Sequence, residues 1–135
     1  MRAQTLNIAL LLGVVLSAAS PPGWVHHSGA MFDRTRVVTI NGVVKDFQWS
    51  NPHSSFTLSV PVEGGQVEVW PIEMNGVSNL VRQGWKRSTL KTGEKVTVRV
   101  NPLRDGRPGG WYVSITLADG KSLGGGDDPP AGGTQ

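Results

Sequence analysis

Val37-Val38-Thr39-Ile40-Asn41-Gly42-Val43-Val44-Lys45-Asp46-Phe47-Gln48-Trp49 is one strand-forming run whose apolar parity changes part-way along. Val38 and Ile40 share one face, whereas Val43, Phe47 and Trp49 lie on the other, and Gly42 stands at the switch, where a bulge or sharp bend is expected. A strand that long and bent can pair with different partners in its two halves, which lets a short sheet close on itself.

Outward from this run, further strands follow with turn signals between them. Ser55 to Val60 alternates, with Phe56, Leu58 and Val60 on one face, and Glu63-Gly64-Gly65-Gln66 supplies a tight hairpin loop. Val67 to Glu73 carries Val67 and Val69 on one parity and Trp70 and Ile72 on the other; Pro71 cannot donate to a ladder and implies an edge or a bulge. Val77, Leu80, Val81 and Gly84 then follow helical spacing, with Asn75 or Ser78 as the expected N-cap and Gly84 as the stop. Val96, Val98 and Val100 form the inward face of a fourth strand ended by Asn101-Pro102. Trp111 to Leu117 reads as a fifth strand that buries Val113, Ile115 and Leu117. Three strands, a helix, then two strands predict an all-β fold with one short helix: a small five-stranded OB-like β-barrel with its helix between strands 3 and 4.

The ends read differently from the middle. Arg2, the apolar run Ile8 to Leu16 and the small residues Ser17-Ala18-Ala19 predict a signal peptide over residues 1–19, and hence a periplasmic or secreted protein. That apolar run is shorter than the roughly 18–20 residues a membrane-spanning helix needs, so no stable membrane anchor is expected after cleavage. Residues 20–35 form an arm, 36–123 the barrel domain, and the Gly/Pro-rich stretch 124–135 is expected to be disordered. With no cysteine, disulfides and thiolate metal sites are excluded. A formal charge of +3, falling by one with Arg2, argues against nucleic acid as a partner, as do Asp127-Asp128 and export. Arg82, Lys86, Arg87 and Lys91 read as a solvated face beside the helix.

All three histidines fall in two short motifs, His26-His27-Ser28 on the arm and Trp49-Ser50-Asn51-Pro52-His53 after the first strand. Imidazole is the commonest protein metal ligand. Pro52 restricts the geometry before His53 and places it on a loop at a barrel end, and the arm could fold onto that end. Glu73 closes its strand and could face the same rim. His26, His27, His53 and Glu73 are therefore the candidate metal ligands, a set suited to Cu(II), Zn(II) or Ni(II), with copper or zinc as the expected ion. Met31 and Met74 each lie beside a motif. The bland alternatives stand beside this one: His53 capping a turn, Asn51 forming an Asx-turn, Glu73 pairing with Arg82 or Arg99, and the paired histidines merely solvated. Trp49, Trp70, Trp85 and Trp111 could instead line a face that binds a glycan, a peptide or a partner protein, although packing is their commoner use. No nucleophile elbow or phosphate loop is present and there is no cysteine nucleophile, so a binding role is expected rather than catalysis.

Several of these motifs together resemble a family of small exported bacterial proteins known only as a domain of unknown function. They are His26-His27-Ser28 with Phe32-Asp33, Gly42-Val43-Val44 leading to Phe47-x-Trp49-x-Asn51-Pro52-His53, Trp70-x-x-Glu73, Leu80-x-Arg82-x-Gly84-Trp85, Leu90-Lys91-x-Gly93-Glu94-x-Val96 and Thr116-Leu117-Ala118-Asp119-Gly120. The resemblance spans roughly residues 26–123 and implies an exported single-domain β-barrel, with no activity to carry over. Pro21-Pro22-Gly23-Trp24-Val25 separates the histidine pair from the expected cleavage site, which argues against a free amine on His26.

Overall fold

A computed structural model describes residues 29–124. The expected signal peptide, His26 and His27, and residues beyond 124 lie outside that range. Among the described residues six strands form: β1 (Val38–Gln48), β2 (Ser55–Pro61), β3 (Val67–Glu73), β4 (Lys95–Pro102), β5 (Gly110–Thr116) and β6 (Ser122–Gly124), with one α-helix, α1 (Val77–Arg82), between β3 and β4. The sheet runs β3-β2-β1-β4-β5-β6, and a parallel pairing of β3 with β5 closes the first five strands into an OB-like barrel. No helix among the described residues is long and apolar enough to cross a membrane.

The bent first strand does what its pattern requires. Val38 to Val43 pair with β4, and Val43 to Gln48 pair with β2, so one strand belongs to both halves of the barrel. The parity switch, however, is not at Gly42. Val44 is buried and Val43 only half-buried; the register slips between Val44 and Asp46, so Lys45 is the bulged residue that turns Phe47 inward. Gly42 serves the bend differently: a Cβ there would stand 3.0 Å from the Ser59 carbonyl oxygen and 3.2 Å from Leu58 Cβ. The strand can curl against β2 only because that Cβ is missing.

The core is Ile40, Val44, Phe56, Leu58, Ile72, Met74, Leu80, Trp85, Leu90, Val96, Val98, Val100, Tyr112, Ile115 and Leu123. Strand β4 follows its predicted parity, but Asn101-Pro102 extends the strand instead of ending it and pairs with Trp111 and Gly110. On β5 the expectation fails at Val113. A register shift lies there, Tyr112 and Ile115 point in, and Val113 is half-buried. The chain then turns at Asp119-Gly120 and returns as β6, with Leu123 buried against the core; Gly124, expected to open the tail, pairs with Ser114.

Trp85 is buried, not displayed. Its indole N–H donates to the Tyr112 hydroxyl at 3.3 Å, which donates in turn to the Leu123 carbonyl at 2.7 Å. Burial pushes the Tyr112 phenol well above its ordinary 10.0.

Candidate functional site at the barrel end

The loop between β1 and β2 is laced to itself and to α1. Ser54, fully buried, accepts from the Ser50 N–H at 3.2 Å through its hydroxyl and donates back to the Ser50 carbonyl at 3.1 Å. The Ser50 hydroxyl donates to the His53 carbonyl at 2.8 Å, and the Asn51-Pro52 peptide is cis. Neither Asn75 nor Ser78 caps the helix. The N-cap is Gly76, with no side-chain cap of its own, and the Val77 N–H donates instead to Asn51 Oδ1 at 3.0 Å. Asn51 therefore satisfies a helix-terminal donor from 26 positions away in sequence. Only glycine fits at position 76, because a Cβ would stand 2.6 Å from the Pro52 carbonyl oxygen. These contacts fix the backbone from which His53 projects.

Glu73 reaches the same place from β3. Its register partners are Ser55 on β2 and Trp111 on β5, which puts it on the closing seam of the barrel. His53 Nδ1 lies 3.9 Å from Glu73 Oε1, with both side chains partly open to solvent. Among the described residues Glu73 thus faces His53. That distance is too long for a hydrogen bond. Trp111 stands edge-on to the imidazole at 5.4 Å, and Arg34 Cζ covers the indole at 4.7 Å. Neither Arg34 nor Trp111 was expected here, because the parallel β3–β5 closure that gathers them leaves no local pattern in sequence.

The arm is docked from its first described residue. Phe32 is buried, bridges to Leu103 and meets Trp111 at 5.7 Å between ring centres. The Arg104 N–H donates to the Met31 carbonyl at 2.9 Å, Arg104 Nε to the Ala30 carbonyl at 3.0 Å, and Asn101 Nδ2 to the Arg36 carbonyl at 2.7 Å. The hydroxyl and backbone N–H of Thr35 hold the Asp33 carboxyl below its usual range, with Arg104 and Arg36 adding to the effect. A cavity of about 250 Å³ lies between arm and barrel, lined by Met31, Phe32, Glu73 and Arg107 among others.

Of the four expected ligands, two are brought together, and His26 and His27 lie outside the described residues. Among the described residues no three histidine, aspartate or glutamate side chains are grouped as a metal would need. Met74 is fully buried in the core, whereas Met31 lines the cavity beside Glu73. The tryptophans are dispersed: Trp85 is core, Trp49 packs edge-on to Phe47 at 5.9 Å, Trp70 donates to Glu68 at 3.0 Å, and Trp111 stands beside His53.

Residues 14–112 match a family model described as a family of unknown function (DUF6152), and the chain belongs to that family. No curated protein matches it. Among solved structures it is similar to the mitochondrial single-stranded DNA binding protein Rim1 of S. cerevisiae, at 14% identity and a TM-score of 0.48, over 62% of this chain and 93% of that one. The exclusion of nucleic acid drawn from net charge is corrected by this finding: a protein resembling this barrel is described as binding single-stranded DNA. Net charge does not decide the matter by itself, because a strand can be held by a local groove with stacking rings.

Proposed function

We propose that this chain is an exported, periplasmic or secreted binding domain, without catalytic activity, that takes a copper or zinc ion at the barrel end carrying His53 and Glu73. His26 and His27 complete the ligand set. The observation that supports this reading most is the approach of His53 Nδ1 to Glu73 Oε1, 3.9 Å apart on separate elements. Ligand nitrogen and oxygen both sit roughly 2.0–2.2 Å from a tetrahedral zinc, which sets them about 3.4 Å apart, so this pair needs to close by only about half an ångström to hold an ion.

The second support is reach. Gly29 is two residues past His27, and a Cβ there would lie 3.5 Å from the Arg34 guanidinium that covers Trp111. A residue spans at most ~3.3–3.6 Å of chain, so the pair has the reach to meet the imidazole of His53. Nitrogen and oxygen ligands without thiolate suit Cu(II) and Zn(II). Calorimetric titration of the protein lacking residues 1–19 with Cu(II) and Zn(II) tests the proposal. One equivalent is expected to bind, and His53→Ala to weaken binding at least about tenfold. Unchanged affinity in that variant removes the proposal.

A further inference from the structure

The barrel is closed unevenly. Strand β3 meets β5 only at Ile72 and Glu73, so from Val67 to Pro71 its one strand neighbour among the described residues is β2. Along that open seam lies a groove of about 500 Å³, bounded by the start of β1, the first half of β3 and the loop between β4 and β5. Its floor is inward-facing and apolar, with Val38, Ile40, Val60 and Leu103, and Trp70 stands against it half-buried. The indole orientation is fixed, since its N–H is spent on Glu68. Arg36 and Arg107 line the same groove, and Glu68 is its one carboxylate.

Arg107 forms a one-to-one ion pair with Asp105, and both arginines keep guanidinium N–H groups that can still donate to a ligand. Arg107 Nε donates to Asp105 at 2.7 Å, which leaves its Nη groups without a partner among the described residues. Arg36 is exposed and has Asp33 as a charge neighbour, and among the described residues its guanidinium is hydrogen-bonded to no carboxylate. An apolar trough with a fixed indole and guanidinium groups among its lining residues matches a ligand with an apolar body and one anionic head. Glu68 disfavours a chain carrying an anion at every unit.

We infer that this groove binds a small organic carboxylate with an aliphatic or aromatic body, at a site that includes neither His53 nor Glu73, although Arg107 also lines the cavity beside Glu73. An aliphatic acid and an aromatic acid share the chemistry that the groove reads, so octanoate and phenylacetate serve as probes. Each is compared with its neutral alcohol, octanol or phenylethanol, by titration calorimetry on the metal-free protein. At least one acid is expected to bind about tenfold or more tighter than its alcohol, the worth of one charge-assisted hydrogen bond. The double substitution Arg36→Gln with Arg107→Gln should erase that preference, and Trp70→Leu should weaken acid and alcohol together. His53→Ala should leave acid binding untouched, which separates this site from the metal proposal. Equal binding of acid and alcohol, no binding of either acid, or a preference that survives the double substitution overturns the inference.

Discussion

At the scale of single residues, the informative side chains are those that hold His53 in place. Asn51 and Gly76 work as a pair: the first supplies the oxygen for the Val77 N–H, and the second leaves room for the Pro52 carbonyl. Asn51→Ala is expected to cost about 1–2 kcal/mol in urea unfolding, the worth of a helix cap. Gly76→Ala is expected to cost about 1–3 kcal/mol, because its new Cβ meets backbone that cannot rotate away. Unchanged midpoints in both variants would show that the loop does not rest on the helix. The candidates His53 and Glu73 were legible in sequence, since each ends or follows a strand with its neighbours fixed by proline or parity. The task of Asn51 was not, because its partner is a backbone group remote in sequence, and a side-chain cap at Asn75 or Ser78 looked equally good.

Among the elements, the β2–β3 hairpin and the inward face of β4 could be read from alternation and turn residues, whereas the Lys45 bulge of β1 and the extension of β4 through Pro102 could not. Strand β5 could not. Its bulge moves Tyr112 inward, and the short β6 that covers it holds one buried apolar residue, Leu123, too little for a period to register. Leu123→Ala should cost about 2–4 kcal/mol in the same assay, as truncation of a buried leucine does. Tyr112, the only tyrosine in the chain, gives a sharper test. Its folded phenol titrates above the unfolded value of 10.0, so the folded state holds the proton longer. Its contribution to stability is therefore constant below pH 10.0 and is lost as pH rises from there through the folded value. Ultraviolet titration near 295 nm should show phenolate appearing together with unfolding. Ionisation near the ordinary value with the fold intact would contradict the burial of this ring. Tyr112→Phe should remove the alkaline loss while lowering stability by about 1–3 kcal/mol at neutral pH, because Trp85 and Leu123 lose a polar partner.

For the whole molecule, the decisive feature is closure. The parallel contact of β3 with β5 brings Glu73 and Trp111 side by side, and the arm seals that end by inserting Phe32. Strand order in the sequence predicts such a barrel, whereas the residues that meet across its seam are set by non-local pairing that no local pattern records. The same geometry makes the arm a tether. Phe32→Ala should leave the barrel folded and weaken zinc binding by about tenfold, because the histidine pair loses effective concentration at His53. The most direct measurement of the metal proposal uses the fact that the chain has only three histidines. Long-range proton–nitrogen correlation spectra of the imidazoles, followed through a zinc titration, should show all three rings shifting together and saturating at one equivalent. Saturation of His26 and His27 with His53 unmoved would contradict the account.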